Sequence, residues 1–294
     1  MSLILDGKTA SSALKLDIQK QVGLIVGSGK RPPHLAAILV GNNGASETYV
    51  ASKERSCKEV GFDSTVLRLK ENITQQALIT EIDKINKNTA IDGLIVQLPL
   101  PKHIDETIIT DAINPDIDVD GFHTYNAGKL VKGMDTFIPA TPFGIVKLLA
   151  FYKIETAGKN VVIIGRSMIV GKPMSILLSG NNKDYGNATV TLCHSKTINL
   201  VDFTLKADII IVALGKPYFL NSEMVKQGAV VIDVGITRIK DSEKKSGFKI
   251  AGDTDFESLK NKCSAITPVP GGVGLMTILG LLENTLKSYL QKNG

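Results

Sequence analysis

The sequence has no tryptophan, three cysteines and four histidines among 294 residues. It also has no apolar run approaching the roughly 20 residues that a membrane-spanning helix needs. Its apolar stretches, "LAAILV" and "ADIIIVALG", are strand-length and end at Gly41 and Gly215, so a membrane-embedded protein is excluded. Cys57, Cys193 and Cys263 are widely spaced, fit no zinc pattern and, being odd in number, cannot all pair, so they read as reduced thiols. His34, His103, His123 and His194 show no ligand spacing, and no metal is expected. The opening "MSLILDGKTA" lacks a basic region, a long apolar core and a small-residue cleavage site, so the expected location is the cytoplasm. The net charge of +5 is mild, and the lysines are scattered apart from the pair Lys244 and Lys245. Without a basic helix or interleaved aromatics a nucleic-acid partner has no support, whereas an anionic small molecule suits the same balance.

What is present is a regular alternation of apolar runs with amphipathic stretches, the pattern of βαβ units, and it predicts an α/β fold of two domains with mostly parallel sheets. In the first half, strands are predicted over 34–41, 64–69 and 91–101, and helices over 45–61 and 74–88, the second with Thr74 as N-cap. The second half repeats the rhythm with strands over 160–165, 188–194, 207–215 and 229–235, the outline of a Rossmann-like nucleotide-binding unit. Two prolines in "MDTFIPATPFGIVKLLAFY" mark a linker, and Pro142 opens a helix. The amphipathic C-terminal segment "MTILGLLENTLKSYL" needs a surface to cover its apolar stripe. The expected division is residues 1–141 plus 275–294 in one domain and 142–274 in the other.

"VVIIGRSMIVGKP" (161–173) runs four β-branched residues into Gly165, as a buried strand meets a phosphate-binding turn. The usual second glycine is Ser167, however, and the next glycine is Gly171. Alone, this reads equally as a dinucleotide site or as a ligand-free strand-to-helix turn. At the end of the next strand "CHSKT" offers Ser195 and Lys196 where an NAD site places an acidic residue, and cation plus hydroxyl suit a 2′-phosphate, favouring NADP. Arg166 is either part of that set or a solvated turn residue.

A second cluster lies in the first half. Tyr49 and Lys53 are four apart on the predicted helix and share a face. Most helix lysines are simply solvated; to act as a general base Lys53 would need its pKa brought down by burial or a neighbouring cation. Gln97 sits at the carboxyl end of a strand that Pro99 and Pro101 halt. "DIDVDGFH" supplies Asp118 and Asp120 before Gly121, an acidic turn with too few regularly spaced carboxylates for an EF-hand.

These segments, with "YVASKERSCKEVGF", "DGLIVQLPLP", "DVDGFHTYNAGKL", "PATPFGIVKLL", "VVIDVGI" and "ITPVPGGVG", resemble the bifunctional methylenetetrahydrofolate dehydrogenase/methenyltetrahydrofolate cyclohydrolase family, in order and over nearly the whole chain. The resemblance implies NADP-dependent oxidation of 5,10-methylenetetrahydrofolate and hydrolysis of the product to 10-formyltetrahydrofolate in one-carbon metabolism. It implies a catalytic Lys53, with Tyr49 against the folate, Gln97 tuning the lysine and Asp120 accepting hydrogen bonds from the pterin. It places Val96, Leu98, Pro270, Gly271, Gly272 and Thr277 among the folate-binding residues, and Gly165, Arg166, Ser167, Ser195 and Ile236 on the cofactor. A homodimer is also implied. Two rival readings are a non-catalytic NADP-binding regulator and a hydroxy-acid dehydrogenase; intact Tyr49, Lys53, Gln97 and Asp120 argue against the first, and the second lacks an evident His–carboxylate pair.

The family usually has proline where this chain has Leu275. Proline in the first turn presets φ, so the leucine loosens this helix start by about 0.5 to 1 kcal/mol. Leu275→Pro is expected to raise stability and lower the Michaelis constant for folate; an unchanged enzyme would refute this.

Overall fold

The computed structural model describes residues 2–42, 44–244 and 247–293, apart from the Ala45 side chain; Lys245 of the lysine pair lies outside them. In chain order the elements are β1 (Leu3–Ile4), α1 (Gly7–Gly27), β2 (His34–Val40), α2 (Gly44–Val60), β3 (Asp63–Leu69), α3 (Gln75–Asn86), β4 (Gly93–Val96), α4 (Glu106–Ala112), α5 (Thr124–Val131) and α6 (Ala140–Phe151). There follow β5 (Asn160–Ile164), α7 (Gly171–Ser179), β6 (Thr189–Cys193), α8 (Leu200–Thr204), β7 (Ile209–Val212), β8 (Val230–Asp233), β9 (Thr237–Lys240), β10 (Phe248–Ala251), α9 (Phe256–Leu259), β11 (Ala265–Ile266) and α10 (Val273–Asn293). The α/β class is as expected from the alternating pattern.

The chain forms two compact units, one of Ser12–Ala140 with Ile278–Gly294 and the other of Met1–Ser11 with Thr141–Thr277. The first contains a parallel sheet ordered β3-β2-β4. β2 and β4 are apolar and buried along nearly their whole length, whereas the edge strand β3 is polar and largely exposed; Ile38, Leu94 and Val96 belong to a buried cluster with Leu78 and Ile82 of α3 and Ile109 of α4. The Thr74 hydroxyl caps α3 by accepting from the Ala77 amide at 3.2 Å, as predicted. The last part of α10 adds a buried stripe including Leu281, Leu282, Leu286 and Tyr289.

The second unit is built on a six-stranded parallel sheet ordered β1-β11-β8-β7-β5-β6. The first residues cluster with this unit, whereas the sequence pattern grouped them with the first half. The cause is β1, whose two residues pair with Ala265 and Ile266 of β11, too short a strand to be seen in the pattern. A separate hairpin pairs β9 with β10. Predicted strands over 91–101 and 207–215 are shorter than expected, Gly93–Val96 and Ile209–Val212, since the apolar run continues past the last ladder bond. Leu275 lies in the first turn of α10, and its amide donates to the Gly272 carbonyl at a long 3.3 Å. Proline there would forfeit this weak bond, which puts the stability gain at the low end of its range.

Candidate active site

In the first unit α2 carries Tyr49 and Lys53 one turn apart. Lys53 is 7% exposed, and its Nζ donates to Gln97 Oε1 at 3.0 Å. Gln97 is itself held at the end of β4: its amide donates to the Ile38 carbonyl at 2.9 Å and its Nε2 to the Leu98 carbonyl at 2.7 Å. The amide oxygen has therefore one orientation, facing the amine. An ammonium in this position has one neutral acceptor and little water, and burial lowers the Lys53 pKa below its usual value. The carboxylate of Asp120, the second influence, pulls it back up. Burial likewise raises the Asp120 pKa, opposed by the charge of Lys53. Both groups are thus biased toward their neutral forms while attracting one another. Beneath them the fully buried Cys57 has its thiol pushed up to about 12, chiefly by desolvation, and stays protonated. Burial also raises the Tyr49 phenol, so it stays neutral.

The two aspartates of the acidic turn have separate fates. Asp118 is buried and accepts from the amides of Phe122 at 3.3 Å and His123 at 2.8 Å and from Asn126 Nδ2 at 2.9 Å, so it folds the turn back on α5. Asp120 is left to face Lys53 electrostatically. Gly121 has φ +70°, and a side chain there would meet the Phe137 carbonyl at 2.8 Å. Asn284 of α10, 1% exposed, pins the same turn from the other side by donating to the carbonyls of Val119 and Ile138, both at 2.8 Å. No motif pointed to Asn284; its only signal was a polar residue within an apolar helical stripe. Of the other residues the resemblance placed here, Val96 is buried in the core cluster and Leu98 packs against it.

In the second unit, Gly165 follows β5 with φ +127°, and a Cβ there would lie 2.3 Å from the Ala213 carbonyl oxygen. At Gly171, the first residue of α7, a Cβ would lie 1.9 Å from the Gly165 carbonyl oxygen. Both positions demand glycine, one for the bend and one for the close approach of helix to strand. Between them Arg166 and Ser167 are exposed, and the Ser167 hydroxyl accepts from the Val170 amide at 3.1 Å. The missing middle glycine is thus a serine that braces the turn. Ser195 and Lys196 are exposed after β6, on a loop closed by the His194 amide donating to Thr197 Oγ1 at 2.9 Å and by the Thr197 amide donating to the His194 carbonyl at 2.8 Å. Ile236 is 42% exposed beyond β8. Pro270 is exposed and Gly272 buried, and Thr277 shares a hydroxyl–hydroxyl bond of 3.1 Å with Thr141. A glycine cradle with exposed cation and hydroxyls fits a phosphorylated dinucleotide. A cavity of about 340 Å³ at the amino ends of β5, β7 and β8, lined by Lys153, Lys159 and Asp208, contains none of these residues. Among the described residues no group of three or more His, Cys, Asp or Glu side chains could hold a metal, and no helix is long and apolar enough to cross a membrane.

Comparison with known proteins agrees with this geometry in both units. Residues 5–120 match the model of the tetrahydrofolate dehydrogenase/cyclohydrolase catalytic domain, and residues 139–293 match that of the family's NAD(P)-binding domain. The chain belongs to the tetrahydrofolate dehydrogenase/cyclohydrolase family. It is 58% identical over 283 residues to the bifunctional protein FolD of Flavobacterium johnsoniae, covering 96% of each chain. Among solved structures it resembles the bifunctional FolD methylenetetrahydrofolate dehydrogenase/cyclohydrolase of Campylobacter jejuni, with TM-score 0.92, 47% identity and 99% of each chain covered. It also resembles the Trypanosoma brucei FolD complexed with NADP and an inhibitor, with TM-score 0.93 and 34% identity over 99% of this chain and 98% of that one. The family membership agrees with the resemblance carried by the motifs.

Asn284→Leu removes the donor from two carbonyls at once, and the first unit is expected to lose about 2 kcal/mol. A urea unfolding midpoint equal to wild type would contradict the anchoring role of Asn284.

Proposed function

We propose that the protein oxidises 5,10-methylenetetrahydrofolate with NADP to the 5,10-methenyl cation and hydrolyses that cation to 10-formyltetrahydrofolate, with Lys53 as the general base of the hydrolytic step. The observation that carries the assignment of the base is the buried Lys53 amine, held by Gln97 Oε1 at 3.0 Å and lowered in pKa by its burial. Bound NADP supplies the acceptor for the hydride that leaves the one-carbon bridge. The chain's contribution to that step is orientation, since the ring nitrogen lone pair expels the hydride without help from an acid or base.

Hydrolysis asks more of the residues. A neutral amine is the form able to take a proton from water, and a cationic substrate beside it disfavours the ammonium further. As the water oxygen bonds to the bridge carbon, Lys53 takes one of its protons; the amine then returns a proton to the ring nitrogen as the carbon–nitrogen bond breaks, while the remaining hydroxyl proton leaves to water as the carbonyl forms, so that the formyl group stays on the other nitrogen and one net proton is released. Gln97 fixes where the amine points. Asp120, an acceptor when ionised, takes hydrogen bonds from the donor-rich pterin edge and keeps the lysine pKa from falling too far. Tyr49, neutral and on the same face of α2, packs against the folate ring. In the second unit Gly165, Arg166 and Ser167 would hold the cofactor phosphates, Ser195 the 2′-phosphate, and Ile236 the adenine or ribose end; Pro270, Gly271, Gly272 and Thr277 would close on the ligands. Homodimerisation and a cytoplasmic location belong to the same reading.

Two experiments test it. Lys53→Ala is expected to lower cyclohydrolase turnover by at least about 100-fold while the Michaelis constant for NADP stays near wild type; full hydrolase activity in the variant would overturn the role of Lys53. Asp120→Asn removes the charge that raises the Lys53 pKa, so the ascending limb of cyclohydrolase kcat/KM against pH should move to lower pH. A limb that stays in place or moves up would contradict the coupling.

A further inference from the structure

Two buried aspartates tie together the carboxyl ends of the large sheet in the second unit, and neither belongs to the phosphate turn. Asp233 ends β8 and is 1% exposed. Its Oδ1 accepts from the amides of Gly235 at 2.8 Å and Asp253 at 2.9 Å, and its Oδ2 from the Thr254 amide at 2.8 Å and hydroxyl at 2.6 Å. Four donors occupy this carboxylate. Asp253 is fully buried and differs: Oδ2 accepts from the amides of Leu214 at 2.6 Å and Gly215 at 2.9 Å, while among the described residues Oδ1 has no hydrogen-bond partner.

The segment that Asp253 holds lies next to the phosphate turn. Leu214 and Gly215 continue from Ala213, whose carbonyl oxygen is the atom against which Gly165 is closed. On its other side Asp253 abuts Gly235, where a Cβ would come within 2.5 Å of Oδ1, and Gly235 precedes Ile236. One carboxyl group therefore sets the spacing between the ends of β7 and β8 around residues assigned to the cofactor. A buried oxygen without a partner is costly. Its retention beside a fully paired neighbour points to a constraint on the other oxygen.

We propose that Asp253 is a positioning residue for the dehydrogenase half-reaction, setting cofactor affinity by holding the Leu214 and Gly215 amides through Oδ2. The proposal rests on the reading that this unit binds NADP. Because Oδ1 accepts nothing, negative charge is not required: an amide oxygen in place of Oδ2 serves as well, and an amide nitrogen in place of Oδ1 exchanges one unpartnered group for another.

The test uses purified full-length wild type, Asp253→Ala, Asp253→Asn and Gly235→Ala, assayed for NADP-dependent dehydrogenase and, without cofactor, for cyclohydrolase starting from methenyltetrahydrofolate. For Asp253→Ala the Michaelis constant for NADP is expected to rise about tenfold, with dehydrogenase kcat and cyclohydrolase near wild type, while Asp253→Asn stays within about twofold throughout. Gly235→Ala, whose methyl would meet both the carboxylate and the backbone nitrogen of Asp253 at 2.5 Å and so push the residue as a whole off the Leu214 and Gly215 amides, is expected to follow Asp253→Ala and carries the test if that variant does not fold. Parallel loss of cyclohydrolase would show a general structural role and overturn the proposal, as would an asparagine variant as impaired as the alanine one, or an alanine variant with wild-type NADP dependence. A wild type without NADP-dependent turnover would instead overturn the reading of the unit.

Discussion

The chemistry of the first unit depends on placing one lysine amine where water is scarce and where, among the described residues, its direct hydrogen-bond acceptor is neutral. Lys53 sits at 7% exposure with Gln97 Oε1 at 3.0 Å, and that arrangement decides its protonation. A carboxylate in place of the Gln97 amide would have held the ammonium and removed the base. A fully exposed lysine would have kept its ordinary affinity for protons. Asp120 provides an intermediate setting, close enough to oppose the desolvation of the amine. The rest of the unit keeps these three side chains in register: β4 and its neighbour β2 hold Gln97, and the Asp118 turn with Asn284 holds Asp120.

That arrangement has a thermodynamic cost. A lysine whose pKa is lower in the fold than in the open chain binds fewer protons when folded, so its burial weakens stability most below the folded pKa. The penalty fades as pH rises through the folded value toward the ordinary one. The compensation comes from well-packed surroundings, including the apolar cluster of β2, β4, α3 and α4 and the α10 stripe. In the second unit the buried Asp233 and Asp253 are likewise held by neutral groups, accepting from backbone amides at strand ends and from the Thr254 hydroxyl.

Much of this was legible in the residues. Strand and helix alternation gave the α/β class because buried parallel strands read as continuous β-branched runs such as "VVII" and "IIIV". Thr74 was readable as a cap, and Tyr49 and Lys53 as one helical face. What could not be read was contact between segments distant in sequence. The pattern could not separate Asp118 from Asp120, since only the fold makes one a structural acceptor and leaves the other facing the lysine. It gave no sign of β1, a two-residue strand, or of Asn284 as an anchor 165 positions from its partner Val119. Ser167 looked like a departure from the phosphate-turn pattern, and the geometry shows why it is tolerated: the steric demand falls on Gly165 and Gly171.

Hydrolysis turns on the proton affinity of a single nitrogen, and the most direct measurement is the titration of Lys53 by NMR in protein with isotope-labelled lysine, assigned with a Lys53→Ala variant. The account predicts a midpoint below the ordinary lysine value of 10.5. A midpoint at or above that value would mean the amine stays charged through the working range, and the general-base mechanism would fail.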